Sequence, residues 1–194
     1  VKFDLTLKYN KQMKISTSDL LDELKNRTRE HMQYAGTLLH KLENDLNFRI
    51  SPDSWSALEC LEHLNRYGDF YIPELTNKIS GSGTASQPFF KPGILGNYFA
   101  KSMLPKGKLN KMKTLKAMNP IHSQLKRNVI EEFIIQQKQL LELLEKAGNV
   151  DLEKTKTGIS ISKLIKLKLG DTLRFVIYHN ARHIEQVKRV WANR

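Results

Sequence analysis

The sequence predicts an all-α protein, an antiparallel four-helix bundle. Three observations carry this reading. Four long segments repeat apolar residues at three- and four-residue spacing, no segment reads convincingly as a central strand, and 194 residues suit one domain with a real core. An apolar fraction of 40% lies within the globular range and argues against general disorder. The longest apolar runs, such as Phe175-Val176-Ile177-Tyr178, fall far short of the roughly 20 residues that cross a bilayer.

The first predicted helix covers residues 18–46, where Leu21, Leu24, Thr28, His31, Ala35, Leu38, Leu42 and Leu46 form one stripe. Ser18 or Thr17 is placed to cap it. Phe48 to Pro52 reads as a connection, because proline disfavours helix at the residue before it. The second helix starts near Ser54 or Ser56 and runs to about Ile79. Ser56-Ala57-Leu58-Glu59 fits a capping box, and Trp55 and Cys60 are placed as a hydrophobic staple. Leu61, Leu64, Tyr67, Tyr71 and Leu75 continue its stripe, while Pro73 is expected to kink or interrupt it. Residues 80–120 form a long basic crossover loop. Its apolar side chains, among them Phe89, Phe90, Ile94, Leu95 and Tyr98, are expected to fold over the bundle with a short helix at about 94–103.

The third long helix is expected from Ile121 to Ala147, with Gly148 as a left-handed stop. Residues 149–158 read as a loop, and Ser160 to Leu169 as a short helix ended by Gly170. Asp171 or Thr172 then caps a last helix reaching Trp191. Residues 1–15 are read as an N-terminal extension and 16–194 as a single domain. The alternation of Phe3, Leu5, Leu7 and Tyr9 in the extension suits a short strand.

Cys60 is the one cysteine, which excludes an intramolecular disulfide. The first ten residues carry no apolar signal-peptide core, so the expected location is cytoplasmic. The formal net charge is +12, and it is unevenly distributed. No acidic residue lies between Glu74 and Glu131, a stretch holding Lys78, Lys91, Lys101, Lys106, Lys108, Lys111, Lys113, Lys116, Lys126 and Arg127. This basic 78–127 region reads as a solvated lid, as a field that attracts an anionic small-molecule substrate, or as a nucleic-acid surface. The last is the weakest, since no helix-turn-helix, zinc-finger or RNA-recognition signature accompanies it.

The chemistry-bearing pattern is histidine. His179 and His183 are four residues apart on a predicted helix, so both imidazoles share one face with Cβ atoms roughly 5–6 Å apart. His63 lies at the border of the second helix's stripe. Imidazoles projecting inward from facing helices suit zinc, nickel, iron or copper, and suit calcium or magnesium poorly. Three protein ligands leave coordination positions open, as in catalytic sites. On its own, a pair four apart is more often a surface or satisfied core feature.

Two segments resemble signatures of the DinB-like superfamily (DinB and YfiT relatives). Trp55-Ser56-Ala57-Leu58-Glu59-Cys60-Leu61-Glu62-His63-Leu64 resembles its W-S-x-x-E-x-x-x-H-L motif, and His179-Asn180-Ala181-Arg182-His183-Ile184-Glu185-Gln186 its H-x-x-R-H-x-x-Q motif. The likeness spans about Leu20 to Trp191 and is least secure over residues 80–120. It implies a four-helix bundle, with His63, His179 and His183 holding a divalent metal, zinc or nickel first and iron after them. It also implies metal-dependent chemistry of the thiol S-transferase or hydrolase type, and a homodimer in some relatives. Characterised relatives include bacillithiol- and mycothiol-dependent transferases and related isomerases, so a low-molecular-weight thiol is an expected partner. A non-enzymatic stress-response or binding module is the alternative.

Candidate catalytic or supporting residues are Glu59, Glu185 and Gln186. Glu59, one turn before His63, suits either a hydrogen bond to a ligand imidazole or the capping box. Gln186 and Glu185 can orient His183 or a bound water, although an exposed helix face explains Glu185 more simply. His31 reads as a satisfied core histidine or, less often, as one that completes or borders the metal site, and His40 and His122 as structural or solvated. Arg182 reads as a surface or ion-pairing residue that could reach an anionic ligand, Trp55 as a core anchor, and Cys60 as a metal-activated thiolate or, more commonly, a small buried hydrophobe.

Overall fold

The computed structural model describes residues 14–105 and 114–194. The expected strand at Phe3 to Tyr9, and Lys106, Lys108, Lys111 and Lys113 of the basic region, lie outside the described residues. In chain order the elements are β1 (Ile15–Ser16), α1 (Thr17–Leu38), α2 (Glu43–Leu46), α3 (Ala57–Ser80), β2 (Phe89–Phe90) and α4 (Ile94–Met103). A 3₁₀ turn (Lys116–Met118), α5 (Asn128–Ala147), β3 (Lys156–Ile159), β4 (Ser162–Lys168) and α6 (Leu169–Ala192) follow. The protein is mostly helical, and α5 and α6 each pack against both α1 and α3. No described helix is long and apolar enough to cross a membrane.

Two apolar clusters fill the interior. One joins Leu24, Tyr71, Leu75, Leu144, Leu173 and Ile177, and the other joins Leu38, Leu58, Leu61, Ile130, Phe133 and Val187. Along α6 the first cluster ends at Tyr178 and the second resumes at Ile184. The interval between them is polar and buried. His179, Asn180, Arg182 and His183 occupy it, with Asn65, Gln136 and Gln137 from α3 and α5. Asn180 donates to Gln137 Oε1 at 3.0 Å and Gln136 donates to the Asn65 carbonyl at 3.2 Å, so this layer satisfies much of its own hydrogen bonding.

Several boundaries differ from the sequence reading. The first helix stops at Leu38, where Leu39 N–H turns back to the Gly36 carbonyl. The chain restarts as α2, so Leu46 is still buried while Leu42 is 70% exposed. Ser16, not Thr17 or Ser18, caps α1 by accepting from Asp19 N–H at 3.3 Å. The third long helix begins at Asn128, not Ile121. His122 sits in the left-handed region with φ 66°, which no right-handed helix accommodates. Gly148 ends α5 with φ −60°, so it closes the helix without the expected left-handed turn. The helix α3 continues past Pro73 to Ser80. The predicted capping box is present: Ser56 Oγ accepts from Glu59 N–H at 3.2 Å, and Glu59 Oε2 accepts from Ser56 N–H at 2.8 Å. The short helix expected at 94–103 is α4.

The expected short helix at 160–169 is instead the second strand of an antiparallel hairpin, β3–β4, with Lys156 opposite Lys168 and Thr157 opposite Leu167. Thr157, Ile159 and Leu167 turn inward, a period of two that suits β-branched residues on a pleated surface. Glu74 accepts from Gly158 N–H at 2.6 Å and pins the hairpin to α3. With no short helix to end, Gly170 lies in the first turn of α6, where a Cβ would stand 2.7 Å from the Phe90 ring.

The helix α4 seats on α6 through a buried acid. Asp171 accepts from Gly93 N–H at 2.7 Å and pairs with Arg174 at 3.2 Å. A Cβ on Gly96 would lie 2.5 Å from Asp171 Cβ and Cγ, too close for either backbone to remain in place. Gly96→Ala is therefore expected to destabilise the protein by about 1–3 kcal/mol as an overpacking change. Thermal denaturation would show this as a fall in Tm of several degrees, whereas Gly36→Ala, inside α1 with nothing within 4 Å, should hold or raise Tm because alanine favours helix over glycine.

Candidate metal centre

Three imidazoles meet in the polar interval. His63 comes from the second turn of α3, whose start is fixed by the capping box, and His179 and His183 come from successive turns of α6. All three are at least nine-tenths buried. His179 Nε2 is 3.2 Å from His63 Nε2 and 3.1 Å from His183 Nε2. One ligand atom from each lies within 4.8 Å of the others, so the three can hold a metal ion.

The outer nitrogens determine which inner ones carry protons. His63 Nδ1 lies 2.6 Å from the Met118 carbonyl, which can only accept, so the ring donates there and its Nε2 is a bare lone pair. His183 Nδ1 lies 3.0 Å from Gln186 Oε1 and donates in the same way, again leaving Nε2 bare. Both lone pairs point at His179 Nε2, whose single proton, if present, serves only one of them. At least one buried lone pair therefore has no donor, and a cation answers all three at once.

Electrostatics keep the imidazoles neutral and ready to bind. Burial, followed by the charge of Arg66, pushes His63 down to about 4 despite its bond to Met118. Burial and the neighbouring imidazoles hold His179 well below the usual histidine range, and burial with His63 does the same for His183. Half-buried aromatic rings border the cluster. Trp55 lies 4.6 Å from His63 and 5.5 Å from His183, Tyr67 lies 4.7 Å from His179, and Phe175 stacks on His179 at 5.8 Å.

The other candidates fall in different places. Gln186 reaches the cluster, as its bond to His183 shows. Glu59 turns to the other side of the cap, where it accepts from Arg49 at 2.7 and 2.9 Å and from Ser123 N–H at 3.0 Å. Burial opposes its charge, but Arg49 and the Ser56 and Ser123 N–H groups outweigh burial and hold the carboxyl below its ordinary range. Glu185 pairs with Lys188 at 2.6 Å and faces a groove against α1. His31 also faces that groove, and His40 is exposed. Arg182, expected at the surface or in an ion pair, is buried, and Trp55 is a half-buried rim residue whose Nε1 donates to Asn119 at 3.2 Å. Cys60 is fully buried in the apolar cluster, with its thiol pushed up by burial, which removes it as a nucleophile.

Sequence reasoning missed Met118, Tyr67 and Phe175 as parts of the site. Tyr67 follows His63 by four residues and Phe175 precedes His179 by four, so helical spacing could have found both. Met118 acts through its main-chain oxygen, for which residue type carries no signal.

The fold and site define a class: a helical protein with a buried cluster of three neutral imidazoles built from two helices. The chain belongs to the DinB superfamily, whose family model matches residues 20–187. No curated protein and no solved structure matches it.

Two outcomes follow. His63 at about 4 and His31 at about 3 both lie below the 6.5 of an unfolded histidine, so the unfolded chain binds protons first. Their contribution to stability is complete above pH 6.5 and is lost as pH falls from 6.5 toward 4 and 3, which urea titrations at stepped pH would show. If the three imidazoles hold an ion, removing the Gln186 bond with Gln186→Ala is expected to weaken its binding about 10–100-fold, as loss of an outer-shell partner does. Competition with a chromophoric chelator measures that change, and circular dichroism should show α6 intact.

Proposed function

We propose that the protein is an antiparallel four-helix bundle of the DinB type that holds one divalent metal ion on Nε2 of His63, His179 and His183, and that it is a metal-dependent enzyme of the thiol S-transferase or hydrolase type. The observation that carries this reading is the convergence of three Nε2 atoms while Nδ1 of His63 and of His183 is occupied from outside. Neutral imidazole donors suit zinc or nickel, with iron a further candidate. Once bound, such an ion supplies Lewis acidity, lowering the pKa of a water or thiol beside it at neutral pH.

The chain's own residues do the rest. Met118 and Gln186 hold two rings in the metal-binding tautomer, so no proton need leave them when the ion arrives. Trp55, Tyr67 and Phe175 limit water around the cluster and offer aromatic surface to the apolar part of a substrate. Among the described residues no carboxylate joins the three imidazoles, so an ion held there would keep a coordination position for a ligand from solution. A small anionic substrate, a low-molecular-weight thiol among them, fits the excess of lysine in the 78–127 region.

Elemental analysis of protein purified without a metal-affinity tag tests the first step. About one zinc, nickel or iron per chain is expected, lost in a folded variant with His63, His179 and His183 changed to Ala. Turnover of an electrophile with a low-molecular-weight thiol, abolished in the same variant, is the expected second result. A protein that takes up none of these ions after incubation overturns the metalloenzyme. One that binds metal but turns over neither thiol nor hydrolysable ester is a binding module.

A further inference from the structure

A groove of about 360 Å³ opens between α1 and α6, away from the imidazole cluster. At about 3.6 residues per turn, Ala181, Ile184 and Lys188 lie on the opposite side of α6 from His179 and His183. The volume falls within the range of small-molecule sites. Its α1 wall carries Arg27, His31 and Tyr34, and its α6 wall Ile184, Glu185 and Lys188.

His31 is the unusual member. It is 5% exposed, lines the groove, and its Nδ1 has no hydrogen-bond partner. Buried ring nitrogens normally find a partner in protein, water or ligand. Burial, Arg27 and Lys188 hold the ring neutral, so it has one N–H to donate. The same two cations make the potential at the ring more positive. Among the described residues, three cationic side chains line it, Arg27, Lys188 and Arg189, against two carboxylates, Glu30 and Glu185, and Arg27 is itself paired with Glu23 at 2.6 Å, so the charge of the groove is close to balanced. Glu185 is already taken by Lys188 at 2.6 Å, and Lys188 stands 5.3 Å from the Tyr34 ring. The Tyr34 ring, Ile184 and Pro105 supply apolar wall.

We propose that this groove is a second ligand site, which binds a small organic monocarboxylate. The carboxylate accepts from His31 and is balanced by Arg27 and Lys188, and its apolar body lies on Ile184 and the Tyr34 ring. A lining whose described charges are nearly balanced suits a monoanion better than a dianion, and the apolar walls give a bare inorganic ion nothing to contact. Neither the metal nor the imidazole cluster takes part in this site.

The test is a titration of ¹⁵N-histidine-labelled protein with hexanoate, read on the imidazole signals and repeated with acetate and with inorganic phosphate. Hexanoate is expected to move the His31 signals saturably while those of His63, His179 and His183 stay in place. Lys188→Met, at the rim, should weaken hexanoate binding about tenfold or more, the scale of one charge-assisted contact. His31→Leu should weaken it similarly while circular dichroism remains unchanged. Unmoved His31 signals, hexanoate affinity unaltered in both variants, or phosphate or acetate binding as tightly as hexanoate would each overturn the proposal. Hexanoate shifts confined to the three clustered histidines would do the same and would assign the ligand to the metal centre. Because the readout needs no metal, a protein lacking metal altogether leaves the test intact.

Discussion

Lone pairs repel, and a helical interior offers little water to separate them. His63 and His183 are each compelled by an outer acceptor to present a bare Nε2 inward, and His179 stands between them at 3.2 and 3.1 Å. An arrangement chosen for stability alone would place hydrocarbon at that depth, as the apolar clusters on either side do. Here the interval between the clusters is instead a polar layer with its own hydrogen bonds through Asn65, Gln136, Gln137 and Asn180. Much of the local architecture can be understood as keeping three neutral imidazoles pointed at one place.

The crossover after α3 is part of that architecture. Its main chain is tied down by side chains from the region around the start of α3. Glu59 takes Ser123, Asn47 bonds both polar groups of Leu125, and Arg66 donates to the Ala117 and Asn119 carbonyls at 3.3 and 3.2 Å. Trp55 adds a bond to Asn119. These ties place the Met118 carbonyl against His63. Glu59 thus serves the site indirectly: it closes the helix cap, neutralises Arg49 and anchors the segment that fixes the tautomer of a ring one turn away. Its carboxylate is fully occupied by those tasks, which is why it is absent from the imidazole cluster.

The helix α6 is loaded on both sides. One face carries two of the three imidazoles, and the opposite face forms a wall of the groove against α1, with Nδ1 of His31 unpartnered beside it. Its N-terminal turn holds α4 through Asp171, and Gly96 and Gly170 permit contacts that any side chain would block. Burial of Arg174 and Arg182 on this helix shows the same tendency: it is polar along much of its length, yet nearly every residue from Leu169 to Ile184 is buried.

The sequence by itself determined the helices that build the site and the three histidines. Period-3.6 stripes mark α1, α3, α5 and α6, the Ser56–Glu59 box marks where α3 begins, and i, i+4 spacing puts His179 and His183 on one face. These are local features, set by the geometry of one helix, and so they can be read from neighbouring residues. Only the tertiary structure decided the rest, because it depends on partners far apart in the chain. The β3–β4 hairpin forms where alternation and contact with α3 prevail over a weak helical pattern. The early stop of the first helix and the late start of α5 follow from a turn at Leu39 and a left-handed residue at His122. Glu185 and Gln186 are adjacent in sequence, yet one faces the groove and the other His183, since one residue turns a helix by more than a quarter of its circumference. Met118 was invisible because a carbonyl has the same chemistry in every residue, and only the fold brings this one to within 2.6 Å of His63.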